Sequence, residues 1–320
     1  MTTTNIAIIG AGQLGSRHLQ GLKRSKIPMN IYVLDASEES LAISEQRYNE
    51  IAENDLIKQI LFTTKWELLP NSIDIAIVAT GSKPRCAIIH KLVENHHCHQ
   101  LILEKFLFPK MIQYDDISQL FQRHKVKAWV NCTRRYFSCY QQLRELLIND
   151  GPIQFAFEGK NWGLCCNSIH LIDLFAYLSG IDYIQFDCSS IDPQIYESKR
   201  AGYIEMTGTI KGRTDNHSTL QISSYADSEG IGKLFIISQN HTIEIFEVQK
   251  RMLIDGVEHK MSIPYQSELT GIFVELILKD DKLILPSFEE SAILHQQILP
   301  HFLDIYNKIT DTQNDICPIT

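Results

Sequence analysis

The sequence lacks a long hydrophobic run, an excess of basic residues and closely spaced pairs of cysteines. No apolar stretch approaches the roughly 18 residues of a membrane-spanning helix, which argues against a membrane protein. Lysine and arginine number 30 against 38 aspartates and glutamates, so at a formal net charge of −8 a nucleic-acid partner is not expected. The N-terminus also lacks the basic start of a signal peptide, which predicts a soluble, cytoplasmic protein.

The eight cysteines show no C-x-x-C spacing, and 320 residues suffice for two domains with sizeable cores, without disulfides. We expect mostly buried thiols in a reducing compartment. The tract His96-His97-Cys98-His99 contains metal-ligating residue types, but adjacent side chains cannot all face one ion on a regular element. A helix C-terminus favours histidine, so the passage from a helix to a strand explains the tract better. We therefore predict no metal site.

A glycine-rich turn follows the first apolar run of the chain. Residues 6–9 lead into Gly10-Ala-Gly12-Gln-Leu-Gly15, and an amphipathic segment follows, which is the pattern of strand, tight turn and helix. In a dinucleotide-binding fold the first glycine permits the turn, the second admits a pyrophosphate and the third allows close packing. The helix N-terminus then offers N–H groups to the phosphates. The motif therefore predicts a dinucleotide site.

A second apolar run, residues 31–34, ends in Asp35, about 20 residues after the glycine motif. At this spacing an acid accepts hydrogen bonds from the adenosine ribose and repels a 2′-phosphate, so NAD is favoured over NADP. Arg17 and Ser37 lie near enough in sequence to keep NADP open as the less favoured cofactor. The alternative is that Asp35 is only a turn residue at the end of a strand.

Residues 1–125 alternate between apolar strands and helices, which predicts a parallel sheet covered on both faces. The predicted strands are 5–9, 30–34, 59–63, 73–79, 101–104 and 127–131. The predicted helices between them are 13–24, 38–50, 64–69, 86–95 and 110–124.

Residues 126–320 are richer in alternating segments, which predicts an α+β domain with an open, largely antiparallel sheet. One of its turns is expected at 227–230. An open sheet face is usually covered by a partner subunit, so we predict a homo-oligomer, a dimer or tetramer. The predicted strands are 152–158, 183–188, 203–211, 218–225, 232–238, 241–248 and 258–263. The predicted helices are 138–147, 163–179, 267–280 and 288–309.

Lys105 comes just past the end of a buried strand, where a nicotinamide would lie in such a sheet. Oxidation of an alcohol needs a base for the hydroxyl proton, and a lysine whose pKa is lowered by burial can serve. Glu104 beside it can hold a ribose or steer the ammonium group. A surface lysine after a strand remains the alternative.

His170 lies on a predicted helix with three polar neighbours on the same face, Cys166, Asn167 and Asp173. Asn167 or Asp173 can fix the imidazole tautomer and leave the other ring nitrogen for a substrate hydroxyl. A core histidine held by Asp173 remains the alternative.

These motifs together resemble the Gfo/Idh/MocA oxidoreductase family, in order and over essentially the whole chain. The motifs are the glycine loop ending in His18, the Glu104-Lys105 pair, residues 131–136, His170-x-x-Asp173 and residues 285–292. The resemblance implies an N-terminal Rossmann domain (1–125) and a C-terminal substrate-binding and oligomerisation domain (126–320). It implies hydride transfer between NAD(P) and a hydroxyl of a sugar, polyol or nucleotide sugar.

The resemblance also implies roles for individual residues, with Lys105 as acid/base and His170 orienting the substrate. The residues implied at the cofactor are Gly10, Gly12, Gln13, Leu14, Gly15, Asp35, Thr80, Ser82 and Glu104. Near the substrate we expect Arg134 and Arg135 for a carboxylate or phosphate, and Tyr136 and Trp162 for a sugar face. The other residues expected there are Lys160, Cys166, Asn167 and Asp173. Arginines at a domain junction are as often structural ion pairs.

Three positions depart from the family pattern. Phe106 replaces a proline whose peptide bond is often cis, and since a non-proline cis bond costs about 2.5–4 kcal/mol, a different backbone is expected at Lys105. Cys166 replaces an acid that normally shares proton handling with the lysine, and Arg85 replaces a common histidine. The second hypothesis is therefore an NAD-binding regulatory protein of this fold without catalysis.

Overall fold

The structure is a computed structural model that describes residues 3–226, 232–280 and 282–320. Its first sheet has six parallel strands in the order β3-β2-β1-β4-β5-β6. The order reverses between β1 and β4, and ligands of such sheets bind beside the carboxyl ends of the strands at that point. The strands are β1 (Thr4–Ile9), β2 (Met29–Leu34), β3 (Ile57–Thr63), β4 (Ile75–Val78), β5 (Gln100–Leu103) and β6 (Lys127–Val130).

The central strands of this sheet are apolar on both faces. Ile6, Ala7 and Ile8 of β1 and every residue of β4 are 0% exposed, as expected for a parallel sheet covered by helices on both sides. The helices of the described chain are α1 (Gln13–Lys23), α2 (Glu38–Asn49), α3 (Ser82–Asn95), α4 (Ile112–His124), α5 (Ser138–Leu147), α6 (Leu164–Ser179), α7 (Gln266–Leu278) and α8 (Phe288–Thr310). The predicted helix 64–69 is reduced to a single 3-10 turn, Trp66–Leu68.

The chain divides into two compact units, each assembled from three stretches of sequence. The first contains Met1–Leu107, Asp115–Asn131 and Pro264–Phe288, and the second contains Phe108–Tyr114, Cys132–Ile263 and Glu289–Thr320. From the sequence, each domain was predicted to be one continuous range, 1–125 and 126–320. The difference arises because α7, far along the chain, packs against α1 in the first unit.

Two glycines allow α1 and α7 to approach closely. A Cβ on Gly21 would lie 2.9 Å from the Cβ of Thr270, and a Cβ on Gly271 would lie 2.6 Å from the carbonyl oxygen of Gly21. Any side chain at either position would therefore push the helices apart. This close crossing positions Thr270 beside the buried end of α1.

The second unit contains an eight-stranded sheet in the order β16-β15-β14-β13-β7-β12-β11-β8. Among its described strands the neighbours are antiparallel except β7 and β12, which are parallel, so the predicted open, largely antiparallel sheet is confirmed. The strands are β7 (Gln154–Lys160), β8 (Gln185–Ile191), β11 (Gly208–Arg213), β12 (Thr219–Tyr225), β13 (Lys233–Ile237), β14 (Thr242–Phe246), β15 (Arg251–Ile254) and β16 (Val257–Lys260), beside a short hairpin of β9 (Tyr196–Glu197) and β10 (Ile204–Glu205).

One predicted strand of this sheet is wrong in detail, and one observed strand was not predicted. The predicted strand 203–211 is interrupted because Gly208 has φ +111° and approaches the backbone of β8 too closely for a side chain. β15 was missed, because Asp255 and Gly256 both have positive φ and form a tight hairpin turn to β16. The turn expected at 227–230 lies outside the described residues. In the part of the chain that the structure describes, no helix is both long and apolar enough to cross a membrane.

Candidate functional site

The glycine loop after β1 adopts a conformation that only glycine tolerates. Gly10 has φ +99°, and a Cβ there would lie 2.9 Å from backbone atoms of Ala79 and Thr80 at the end of β4. A Cβ on Gly15 would lie 1.8 Å from the carbonyl oxygen of Gly10. The first and third glycines therefore provide the turn and the close packing that a dinucleotide loop needs.

Gly12 occupies the N-cap of α1 and faces open space, since a Cβ there would meet no described atom within 4 Å. No described side chain caps the helix at this end, and its first turn contains no acidic residue. The helix therefore presents backbone N–H groups and a positive dipole end to an anion. Gln13 and Leu14 begin the helix beside this surface, which fits the pyrophosphate of a dinucleotide.

Arg47 from α2 reaches the start of α1, a contact that the sequence analysis missed. Its guanidinium donates to Gln13 Oε1 and to Ser16 Oγ, each at 2.7 Å. This places a positive charge beside the candidate phosphate site. The two partners lie 34 and 31 residues away along the chain, so no local pattern indicated the contact.

Asp35 at the end of β2 contacts the glycine loop directly. Its Oδ2 accepts a hydrogen bond from Ala11 N at 2.6 Å, and its Oδ1 accepts one from Ser37 N at 2.9 Å. The side chain is half-buried, so the carboxylate remains partly accessible beside the loop. The role predicted for this acid at the ribose of the cofactor stays a prediction.

Arg85, in the first turn of α3, is fully buried and binds backbone carbonyl oxygens, two of which belong to the two residues that follow Lys105. Its guanidinium donates to the carbonyl oxygens of Phe106 and Thr80, and to that of Leu107 at 2.8 Å. The peptide bond between Lys105 and Phe106 is cis, so the different backbone expected from Phe106 is not observed. The departure at Arg85 thus supplies donors to the segment that carries Lys105.

Thr80 and Ser82 lie where β4 passes into α3. Thr80 is half-buried and Ser82 is fully buried, while Gly81 between them occupies the N-cap of α3. Their position at the carboxyl end of a central strand is the one predicted for contacts to a dinucleotide.

Glu104 is 3% exposed and belongs to a buried polar network around His18, in the middle of α1. Its Oε1 is 3.0 Å from His18 Nε2 and accepts from Asn131 Nδ2 at 2.5 Å. His18 Nδ1 lies 2.9 Å from Thr270 Oγ1 on α7, and Gln266 contacts both His18 and Asn131. The network anchors the chain immediately before Lys105, which is half-buried.

The pKa of Glu104 lies below its ordinary value despite complete burial. Burial acts to raise this pKa, but the hydrogen bonds from His18 and Asn131 and the charge of Lys105 outweigh it. Glu104 is therefore a buried carboxylate whose ionised form is held by its neighbours.

In the second unit, Arg134 and Arg135 both bind carboxylates of the protein itself. Arg134 donates through Nε and Nη2 to the two oxygens of Glu247 at 2.8 and 2.7 Å, and Tyr140 donates to the same carboxylate at 2.5 Å. Arg135 contacts Asp173 in the same bidentate manner, at 2.9 and 2.7 Å. Because carboxylates of the protein occupy both guanidinium groups, the structure shows the alternative, in which these arginines form structural ion pairs.

Asp173 is 1% exposed and binds Arg135 in the observed structure, rather than fixing the imidazole of His170. Burial raises its pKa to about 6, while the charge of Arg135 acts to lower it. His170 itself lies half-buried on α6.

The N-terminal end of α6 is held by Glu205, which the sequence analysis missed. Its carboxylate accepts from the backbone N–H groups of Cys165 at 2.9 Å and Cys166 at 3.3 Å. The structure therefore provides a carboxylate beside Cys166, the residue that replaces the acid of the family pattern. Glu205 comes from β10, about 40 residues later, so its contact left no signal in the local sequence.

The remaining predicted substrate residues lie around the start of α6 and the turn before α5. Asn167 donates to the carbonyl oxygen of Trp162 at 2.7 Å, and the Trp162 indole donates to Ser223 O at 2.7 Å. Tyr136 is half-buried, and Lys160 at the end of β7 is exposed. Their predicted contact with substrate stays a prediction.

Comparison with known proteins agrees with this geometry. Residues 4–132 match the model of the Gfo/Idh/MocA oxidoreductase family with an NAD-binding Rossmann fold. No curated protein matches the chain in sequence.

Solved structures share the fold over nearly the whole chain. UDP-N-acetylglucosamine 3-dehydrogenase from Acidithiobacillus ferrooxidans is 14% identical, with a TM-score of 0.69 over 95% of this chain and 97% of its own. Scyllo-inositol dehydrogenase from Lactobacillus casei, solved with NAD(H) and scyllo-inositol, is 16% identical, with a TM-score of 0.65 over 96% and 98%. Biliverdin reductase from Synechocystis, solved with biliverdin and NADP+, is 12% identical, with a TM-score of 0.69 over 94% and 99%. At these identities the likeness establishes the fold, and the match to the Gfo/Idh/MocA oxidoreductase family covers residues 4–132, the Rossmann part of the chain.

Proposed function

We propose that the protein is an NAD-dependent dehydrogenase or reductase that acts on a hydroxyl or keto carbon of a sugar, polyol or nucleotide sugar. The observation that carries the proposal is the anchoring of Lys105 on both sides. Glu104 before it is bound by His18 and Asn131, and the carbonyl of Phe106 after it is bound by Arg85. This fixes a lysine at the carboxyl end of β5, the edge of a parallel sheet where ligands bind.

In the proposed reaction, Lys105 Nζ takes the proton of the substrate hydroxyl during oxidation and returns it during reduction. His170 donates or accepts a hydrogen bond at the same hydroxyl and so orients it. NAD, when bound, supplies the hydride acceptor. Gly12 and the first turn of α1 would hold its pyrophosphate, and Asp35 would hold its ribose.

The sugar-like substrate class is supported by two structural relatives, a nucleotide-sugar dehydrogenase and an inositol dehydrogenase. Trp162 and Tyr136 are the aromatic side chains that we propose for packing on a sugar ring. We leave Arg134 and Arg135 out of the proposed substrate contacts, because both bind carboxylates of the protein. The homo-oligomer and the cytoplasmic location stay predictions from the sequence.

We propose NAD rather than NADP because the carboxylate of Asp35 contacts the glycine loop. The preference is measured as the ratio of kcat/KM values for the two cofactors. Asp35→Asn removes the charge that repels a 2′-phosphate and is expected to shift the ratio toward NADP. An unchanged ratio would argue against this role for Asp35.

The direct test is the absorbance of NADH after the protein is mixed with NAD and pools of sugars, polyols and nucleotide sugars. Lys105→Met should abolish turnover while NAD still binds, whereas Lys58→Met, an exposed lysine in the same unit, should behave as wild type. Full turnover in Lys105→Met would refute the assignment of the acid/base.

The second candidate is a protein that binds NAD without catalysis, favoured by Cys166, which is buried and cannot replace an ordinary carboxylate base. It predicts that NAD binds and that no pool gives NADH. Uptake of solvent deuterium next to the oxidised carbon, with a deuterium bound to that carbon retained and no net NADH, would instead reveal an enzyme that returns the hydride to the same molecule.

A further inference from the structure

Three metal-ligating side chains meet on the outer helices of the first unit, in a cluster that consists of Cys86, His90 and Asp116. Asp116 Oδ2 lies 3.4 Å from Cys86 Sγ and 3.0 Å from His90 Nε2. All three ligand atoms lie within 4.8 Å of one another. None of its three residues is among those predicted to contact the cofactor or the substrate.

The helical spacing explains how the cluster forms. Cys86 and His90 are four residues apart on α3 and therefore share one face of that helix, and Asp116 reaches them from α4. Glu94 lies one further turn along α3, and its Oε1 is 3.5 Å from the other ring nitrogen of His90. One nitrogen of His90 thus faces the cluster while the other faces a carboxylate, as is usual for a histidine that binds a metal.

We propose that this Cys–His–Asp cluster binds a zinc ion. A tetrahedral zinc ion with bonds of about 2.0–2.3 Å separates its ligand atoms by roughly 3.3–3.6 Å. The distance of 3.4 Å between Cys86 and Asp116 matches this range, while the 3.0 Å between His90 and Asp116 would have to lengthen by a few tenths of an ångström. Sulfur, imidazole nitrogen and carboxylate oxygen are the donor types that zinc takes, and the thiolate disfavours magnesium and calcium. Three protein ligands leave a fourth position for water.

Access and burial suit such a site. Cys86 is 8% exposed, whereas the side chains of His90 and Asp116 are 28% and 43% exposed, so an ion can enter from their side. The histidine-rich tract at 96–99 is a poorer candidate, because His96 contacts Pro70 O and His99 contacts His124 O. The alternative for the cluster is a purely hydrogen-bonded group in which Asp116 accepts from both neighbours.

The test uses the full-length protein, stripped of metal with a chelator and titrated with zinc against a chromophoric chelator. Cobalt in place of zinc reports the thiolate through a sulfur-to-metal charge-transfer band. We expect one ion per chain, the cobalt–thiolate band, and a rise in melting temperature on adding zinc. Failure of the wild-type protein to bind either ion stoichiometrically would overturn the proposal.

The variants locate the ion. Cys86→Ser, His90→Gln and Asp116→Asn should each abolish stoichiometric binding, and Glu94→Gln should weaken it by about 10-fold or more through His90. His90 is the decisive position, since its partly exposed side chain can be replaced with little risk to folding. Cys188→Ser and the double variant His97→Gln/His99→Gln are the matched controls and should bind as wild type. Retained binding in His90→Gln, or loss in the 97/99 variant, would place the ion elsewhere and refute the site.

Discussion

Both units bury charged side chains, but they satisfy them with different partners. In the first unit, Arg85 is held by backbone carbonyl oxygens and Glu104 by His18 and Asn131. In the second unit, the arginines are held by carboxylates, as Arg135 is by Asp173. The contacts of Arg85 fix the course of the backbone next to Lys105, while the pair of Arg135 and Asp173 ties two side chains to each other. A buried arginine therefore holds the main chain in the first unit and joins elements in the second.

The largest loss of stability is expected where a buried carboxylate loses the arginine that pairs with it. Arg135→Met leaves Asp173 buried and unpaired, which should lower the free energy of unfolding by about 3–5 kcal/mol in urea titrations. The pKa of Asp173, already raised to about 6, should rise further, so the loss should grow as the pH increases through that range. The double variant Arg135→Met/Asp173→Leu should recover much of the stability. No recovery would mean that the loss in Arg135→Met does not come from the unpaired carboxylate of Asp173.

A smaller loss of stability but a larger loss of activity is expected at Arg85. Arg85→Met leaves backbone carbonyl oxygens without this donor and should cost about 1–3 kcal/mol, the usual penalty when a buried polar group is left unsatisfied. If the guanidinium positions Lys105, kcat should fall while NAD binding is kept. Arg85→Lys keeps the charge without the planar fork and should recover stability better than activity. A variant with unchanged kcat would show that Arg85 only supports the fold.

Glu104 should make the stability of the first unit depend on pH in the acidic range. Its pKa is lowered in the folded protein, so the unfolded chain binds the proton more tightly, and the stabilisation present at neutral pH is lost as the pH falls below about 4.5. Glu104→Gln should cost about 1–2 kcal/mol at pH 7 and should flatten the fall in the urea midpoint between about pH 5 and pH 3. An equally steep fall in the variant would assign the acid sensitivity to other groups.

The smallest change in stability is expected at an exposed ion pair, which serves as the baseline for the buried ones. Lys127 and Asp280 form an ion pair in the first unit at 3.2 Å, with side chains 63% and 89% exposed. Asp280→Asn should change the free energy of unfolding by less than about 0.5 kcal/mol, because exposed pairs are screened by water and salt. A loss of unfolding free energy similar to that of Arg135→Met would mean that burial does not determine how much an ion pair contributes to stability.

The sequence predicted those features of the fold that depend on local residue patterns. The glycine spacing located the loop, because the conformations of Gly10 and Gly15 follow from their lack of a side chain. The apolar strands of the first sheet were found because both of their faces are buried. The contacts that define each candidate site were not found, since their partners are distant. Arg134 and Glu247 are 113 residues apart, and His18 and Thr270 are 252 apart. No periodicity in one segment reports a partner at that distance.

The packing of α7 on α1 has a consequence for synthesis of the chain. The first unit begins at the N-terminus, yet its last stretch ends at residue 288 of 320. At a translation rate of about 5–20 residues per second, the 252 residues between His18 and Thr270 take on the order of 10–50 s to make. During that time the surface of α1 around Gly21 lacks the cover of α7, although every strand of the parallel sheet has been made once residue 130 is reached. A nascent chain halted after residue 132 would therefore expose this surface to chaperones rather than fold into the finished domain.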